Sequence, residues 1–181
     1  MKSTVLSLLA LTATCATAVP ATRHASSIFT VAMSSNDTRL NNLILLDGNP
    51  APEVNEEGDF EPKYSQNAFF NPFQIEAGSG HLTTNSTLDG ALRAAYVYNA
   101  NLTGRVYFND VNDVYRRDSG SAYYPTFTLT PDGFLKPDAS LTWAFCPYPG
   151  SGDDPVIGSV YLGKPPGCTV LRGLKTASYE E

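Results

Sequence analysis

Apolar and polar residues in this chain alternate with a period of two more clearly than with the period of a helix. The alternation is plainest in Phe29-Thr-Val31-Ala-Met33 and in Phe127-Thr-Leu129. One set of side chains there suits a buried face and the other a wet one. Short β-branched and aromatic runs recur between clusters of Gly, Pro, Asn and Asp. They predict strands over Ile28–Met33, Leu43–Leu46, Phe69–Ile75, Leu92–Tyr98, Arg105–Phe108, Thr126–Thr130, Leu141–Cys146, Val156–Leu162 and Cys168–Arg172. Leu92–Tyr96 could begin a helix, but Tyr96-Val97-Tyr98 returns it to a strand pattern. About nine short strands at regular spacing predict an all-β, single-domain antiparallel β-sandwich or barrel with little helix.

Turn chemistry separates the runs. Asp47-Gly48, Asp89-Gly90 and Pro131-Asp132-Gly133 each supply a residue that tolerates positive φ. Thr126–Leu135, built around the last of these, is the strongest hairpin signal. The segment 49–64 carries Pro50, Pro52 and Pro62 with Glu53, Glu56, Glu57, Asp59 and Glu61, and reads as an exposed acidic loop.

Composition then narrows the partners. Acids outnumber bases by 18 to 12 in 181 residues, giving a formal charge of −6. Such a surface lacks the Lys and Arg that neutralise phosphates, which argues against nucleic-acid binding. It argues equally against docking on anionic membranes.

Lys2, the apolar run Val5–Leu11 and the small-residue site Ala16-Thr17-Ala18 predict a secretory signal peptide over residues 1–18 and a secreted β domain over 19–181. The run is too short and too rich in Thr to cross a bilayer as a helix. Cys15 would leave with the leader. Cys146 and Cys168 remain, an even pair that is expected to form one disulfide in an oxidising compartment. The alternatives, a metal pair or reactive thiols, find no further Cys or nearby His to complete a site. Three sequons, at Asn36, Asn85 and Asn101, can each accept an N-glycan if exposed in a eukaryotic secretory pathway.

Catalytic chemistry is sparse. His24 and His81 are the two histidines, and no G-x-S-x-G elbow accompanies them. A Ser–His–Asp triad through His81 is conceivable. So is a copper site using His24 as a trimmed N-terminus, with His81 as second ligand. A carboxylate pair for glycoside hydrolysis has many candidates among 18 acids and no distinguishing pattern. Asp110, Asp113 and Asp118 do not follow the spacing of a Ca²⁺ loop. No cofactor or metal is therefore expected. Ten Tyr, nine Phe and one Trp are the richer resource. Most should fill the core, with Trp143 beside the disulfide. Tyr96, Tyr98, Tyr107, Tyr123 and Tyr124 are the candidates for sugar contact, should their rings line an open face.

The order of these pieces carries a resemblance. A leader precedes Phe29-Thr-Val-Ala-Met33, and Thr87-Leu-Asp-Gly-Ala-Leu92 follows. Thr126-Phe-Thr-Leu-Thr130, Trp143-Ala-Phe-Cys146-Pro147 and Cys168-Thr-Val170 close the chain. This resembles the PhiA-like small secreted cell-wall proteins of fungi, which share an F-x-V-x-A start and a late C-P…C pair. The resemblance implies a non-enzymatic wall or extracellular protein linked to spore-bearing cells, and supplies no catalytic residues. The expected function is thus a structural or host-interaction role outside the cell. Its partners would be wall polysaccharide, a wall protein or a host receptor. The alternatives are a carbohydrate-binding module acting through surface Tyr residues and a secreted glycoside hydrolase.

Overall fold

The computed structural model describes residues 27–48, 58–62, 72–85, 90–110, 121–138, 140–149 and 157–179. Among them the chain forms fourteen strands. The first seven are β1 (Phe29–Ser34), β2 (Ile44–Gly48), β3 (Gly58–Pro62), β4 (Phe73–Ile75), β5 (Leu82–Asn85), β6 (Leu92–Tyr96) and β7 (Gly104–Arg105). The rest are β8 (Tyr107–Asp110), β9 (Phe127–Leu129), β10 (Phe134–Pro137), β11 (Trp143–Pro147), β12 (Gly158–Leu162), β13 (Thr169–Val170) and β14 (Gly173–Ser178). No described residue is helical.

Two antiparallel sheets share one core. Ten strands lie in the order β2-β3-β8-β6-β5-β4-β1-β14-β10-β9, and four in the order β13-β11-β12-β7. The period-two pattern of β1 puts Phe29, Val31 and Met33 inside, with the residues between them half-buried. One edge of β1 pairs along its whole length with β14. The other takes β4 at Phe29 and β2 at Val31 and Ala32, so the large sheet bends back on itself without forming a closed barrel. The sandwich form of the expected all-β fold is the one adopted.

The small sheet supplies Trp143, Phe145, Val160 and Leu162 to the core that Phe60, Phe73, Phe108 and Phe127 fill from the large one. Phe60 sits at its middle. Its ring centroid lies 5.4 Å from those of Phe73 and Phe108 and 6.5 Å from that of Trp143. Edge-on contacts of this kind suit the aromatic quadrupole. Phe127 stacks on Trp143 at 5.7 Å, and the buried indole N–H donates to the Leu135 carbonyl at 2.9 Å. The predicted run Arg105–Phe108 divides at Val106. Val106 N–H donates to the Val160 carbonyl, and Val106 C=O accepts from Phe60 N–H, both at 3.0 Å. The chain thus passes from the small sheet to the large one at this residue.

The disulfide forms as expected between Cys146 and Cys168, whose Cα atoms are 4.4 Å apart. It closes the end of the β11–β13 ladder, one step beyond the pair Phe145↔Thr169. In the chain-entropy account a closed loop of this length is worth about 3 kcal/mol. The hairpin at Pro131-Asp132-Gly133 also forms. Gly133 adopts φ +79°, and its N–H donates to the Thr130 carbonyl at 2.9 Å.

Two expectations are corrected. The acidic segment 49–64 is not wholly a loop, because Gly58–Pro62 is β3, paired with β2 and β8. Phe60 faces inward from it, fully buried, while alternation turns its neighbour Glu61 away from the core. Pro62 is tolerated because it ends the strand. Residues 49–57, 63 and 64 lie outside the described set. Likewise Asp47-Gly48 is not a turn but the end of β2. Asp47 is buried there against Arg93 of β6, Oδ2 to Nη1 at 2.5 Å, with 1% and 5% of their side chains exposed. Arg93 Nη2 donates in addition to the Phe108 carbonyl at 2.8 Å.

Candidate functional site

Alternation along β6 and β8 sends Ala95 and Phe108 into the core and Tyr96 and Tyr107 to the opposite face. Tyr96 and Tyr107 are cross-strand partners, and their rings stack at 5.7 Å and 29°. Tyr98 adds an edge-on contact to each, at 5.4 Å. Tyr124 reaches Tyr96 at 5.9 Å and His81 at 5.5 Å. One continuous strip of rings results on the outer face of the large sheet.

The strip extends across the seam between the sheets. Arg105 precedes Tyr107 by two residues and pairs in register with Tyr161 of β12. Its guanidinium carbon lies 5.8, 5.2 and 5.7 Å from the ring centroids of Tyr107, Tyr148 and Tyr161. Its Nε donates to the Tyr161 hydroxyl at 3.1 Å. The three π faces attract the cation electrostatically. The Tyr148 hydroxyl donates to Glu61 Oε2 at 3.3 Å and lies 2.7 Å from Ser159 Oγ.

Of the five tyrosines expected to touch sugar, four enter this strip, but not in equal roles. Tyr98, Tyr107 and Tyr124 are half-buried and keep surface. Tyr96 is only 2% exposed and forms the floor beneath them. Tyr123 leaves the group altogether. It bridges Val97 and packs against the hydrophobic core, because neighbouring residues of an extended chain point to opposite faces. Sequence reading missed Arg105, Tyr148 and Tyr161. Arg105 was within reach of the period-two rule, whereas the other two depend on a long-range register.

Planar tyrosine faces with hydroxyls at their rims offer two kinds of contact at once. The faces accept the C–H side of a flat ring, and the rims offer hydrogen bonds. A sugar ring presents the matching combination.

The remaining candidates are dispersed. Asn36, Asn85 and Asn101 are all exposed. Beside Asn36, two hydrogen bonds from the Arg39 side chain hold the Asp37 carboxyl below the usual carboxylate range. Asn101 Oδ1 accepts from Thr103 N–H at 3.0 Å and from Thr103 Oγ at 2.5 Å, forming a tight turn. Leu102, between them, adopts φ +61°, and its side chain anchors the turn against the core. Ser79 Oγ bonds the Glu76 carboxylate and accepts from the backbone N–H of His81, while the His81 ring packs on Tyr124. A triad geometry is not assembled by these contacts. Asp110 ends β8, in register with Arg93. His24, Asp113 and Asp118 lie outside the described residues. Among the described residues no three His, Cys, Asp or Glu side chains gather as metal ligands. No protein-family model, no curated protein and no solved structure matches the chain.

Proposed function

We propose that this protein is a secreted, non-enzymatic fungal wall or extracellular protein, and that Tyr98, Tyr107 and Tyr124 attach it to wall polysaccharide. The ring strip on the outer face is the observation that carries the reading. Burial alone would send these rings inward, as it does Phe60, Phe73 and Phe108. A cluster of partly exposed aromatics is the feature expected of a recognition surface. Export is supported by the leader pattern over residues 1–18 and by the Cys146–Cys168 bridge, which suits an oxidising compartment. Fungal origin and wall location rest on the resemblance to PhiA-like proteins.

Sedimentation with insoluble chitin and β-glucan tests the reading. The protein is expected to leave the supernatant with at least one of the two polymers. Tyr107→Ala is expected to weaken retention about tenfold, equivalent to about 1.4 kcal/mol, while leaving the melting transition cooperative. Full recovery in the supernatant with both polymers, or retention unchanged by Tyr107→Ala, would overturn it.

A further inference from the structure

A second feature lies at the end of the large sheet, just past the point where the ring strip ends at His81 and Tyr124. There β9 is last in the strand order and pairs with β10 along one edge. Asp138 N–H donates to the Thr126 carbonyl and Thr130 N–H to the Phe134 carbonyl, both at 2.9 Å. Antiparallel alternation then turns the backbone polar groups of Thr126, Thr128 and Thr130 toward β10, and those of Phe127 and Leu129 away from it. On that outward side Phe127 N–H donates to the Gly80 carbonyl at 2.8 Å. Thr126 beside it bridges His81, and among the described residues no backbone bond carries this pairing on to Leu129. The chain departs at Gly80, which adopts φ +73° and where a Cβ would come within 3.3 Å of Thr126.

The N–H and C=O of Leu129 therefore face the side where a cleft of about 580 Å³ opens, with Phe29, Ile75, Glu76, Ser79 and Asp138 among its walls. Leu129 is 38% exposed, and Ile28, adjacent to the wall residue Phe29, is 48% exposed. Among the described residues the lining holds two carboxylates, Glu76 and Asp138, and no Lys or Arg. Among the described residues, an unpaired stretch of strand edge at Leu129, apolar side chains and two carboxylates without a basic neighbour in the lining thus meet in one concavity.

We infer that this cleft receives an extended basic segment of a partner protein, which adds to β9 as a further strand. Main-chain bonds to Leu129 give the docking, and alternate side chains reach the apolar wall. Lys or Arg residues of the partner balance Glu76 and Asp138. A second copy of this chain is the poorer occupant, because each copy carries a formal charge of −6. The inference uses none of the strip tyrosines and stands or falls separately from polysaccharide binding.

A fluorescein-labelled peptide of alternating lysine and valine, about eight residues long as strands commonly are, is titrated into the full chain and followed by anisotropy. Binding is expected. It should weaken about tenfold or more when alternate peptide nitrogens are methylated, since strand addition rests on main-chain bonds. A similar loss is expected for Leu129→Pro, which removes an outward N–H at an edge position where proline is tolerated. Glu76→Gln with Asp138→Asn should cost about fivefold and flatten the salt dependence. Absence of binding, or equal binding of the methylated peptide, overturns the inference even should Leu129→Pro fail to fold. Equal affinity for a glutamate–valine peptide overturns it too. So does dimerisation of the chain that Leu129→Pro abolishes, because the cleft would then hold a second copy.

Discussion

Arg93→Met is expected to destabilise the protein by about 3–5 kcal/mol. Asp47 and Arg93 are drawn together from β2 and β6, separated in the sheet by β3 and β8. Both are almost wholly removed from water. Deleting one charge leaves the other in a medium that solvates it poorly, which is a larger effect than losing the attraction itself. The Phe108 carbonyl would also lose a donor. For a chain of this size the melting temperature should fall by roughly 10 °C. The double variant Asp47→Leu, Arg93→Met should recover much of the loss, since two apolar side chains can replace a buried pair at little net cost. Thermal melts of the two single variants and the double form the cycle that isolates the pair. Single variants that melt with the parent would show that the charges are hydrated and that this end of the core is wet.

Phe60→Ala is expected to cost a similar amount, about 3–5 kcal/mol. The ring is fully buried and touches Phe73, Phe108 and Trp143, so its removal opens a cavity between the two sheets. Phe60→Leu should recover about half the loss, because most of the volume returns without the edge-on ring contacts. Urea unfolding gives both values, with an unchanged slope marking a pure stability effect. A Phe60→Ala variant within about 1 kcal/mol of the parent would mean that β3 is not part of the core, contrary to the usual cost of such truncations.

Phe60 also marks where the sequence stops being readable. Local signals carried β1, the Pro131-Asp132-Gly133 hairpin and the disulfide, since each is written in a few adjacent residues or in a count of two cysteines. In Gly58-Asp-Phe-Glu-Pro62 a single inward ring stands among acids and a proline, and composition pointed to a loop. β14 was hidden for the same reason. Leu174 is its one large apolar residue, yet it runs beside β1 and β10 in the large sheet. Its partner β1 lies at the other end of the described chain, so nothing local announces the pairing.

The strip was half legible. Tyr96, Tyr98 and Tyr107 follow strand parity once β6 and β8 are paired. Tyr123 and Tyr124 are adjacent, and the same parity forbids them from sharing a face, which places Tyr123 on the core. The Arg105 cluster required the register Arg105↔Tyr161, a pairing between residues far apart in sequence.

Chemical-shift mapping of the isotope-labelled protein during titration with soluble chitin and β-glucan oligosaccharides tests sugar recognition most directly. Saturable shifts are expected at Tyr98, Tyr107, Tyr124 and their neighbours Arg105 and His81, with Tyr123 and the Phe60 cluster unmoved. Shifts confined to another face, or none with either sugar at millimolar concentration, would contradict the account.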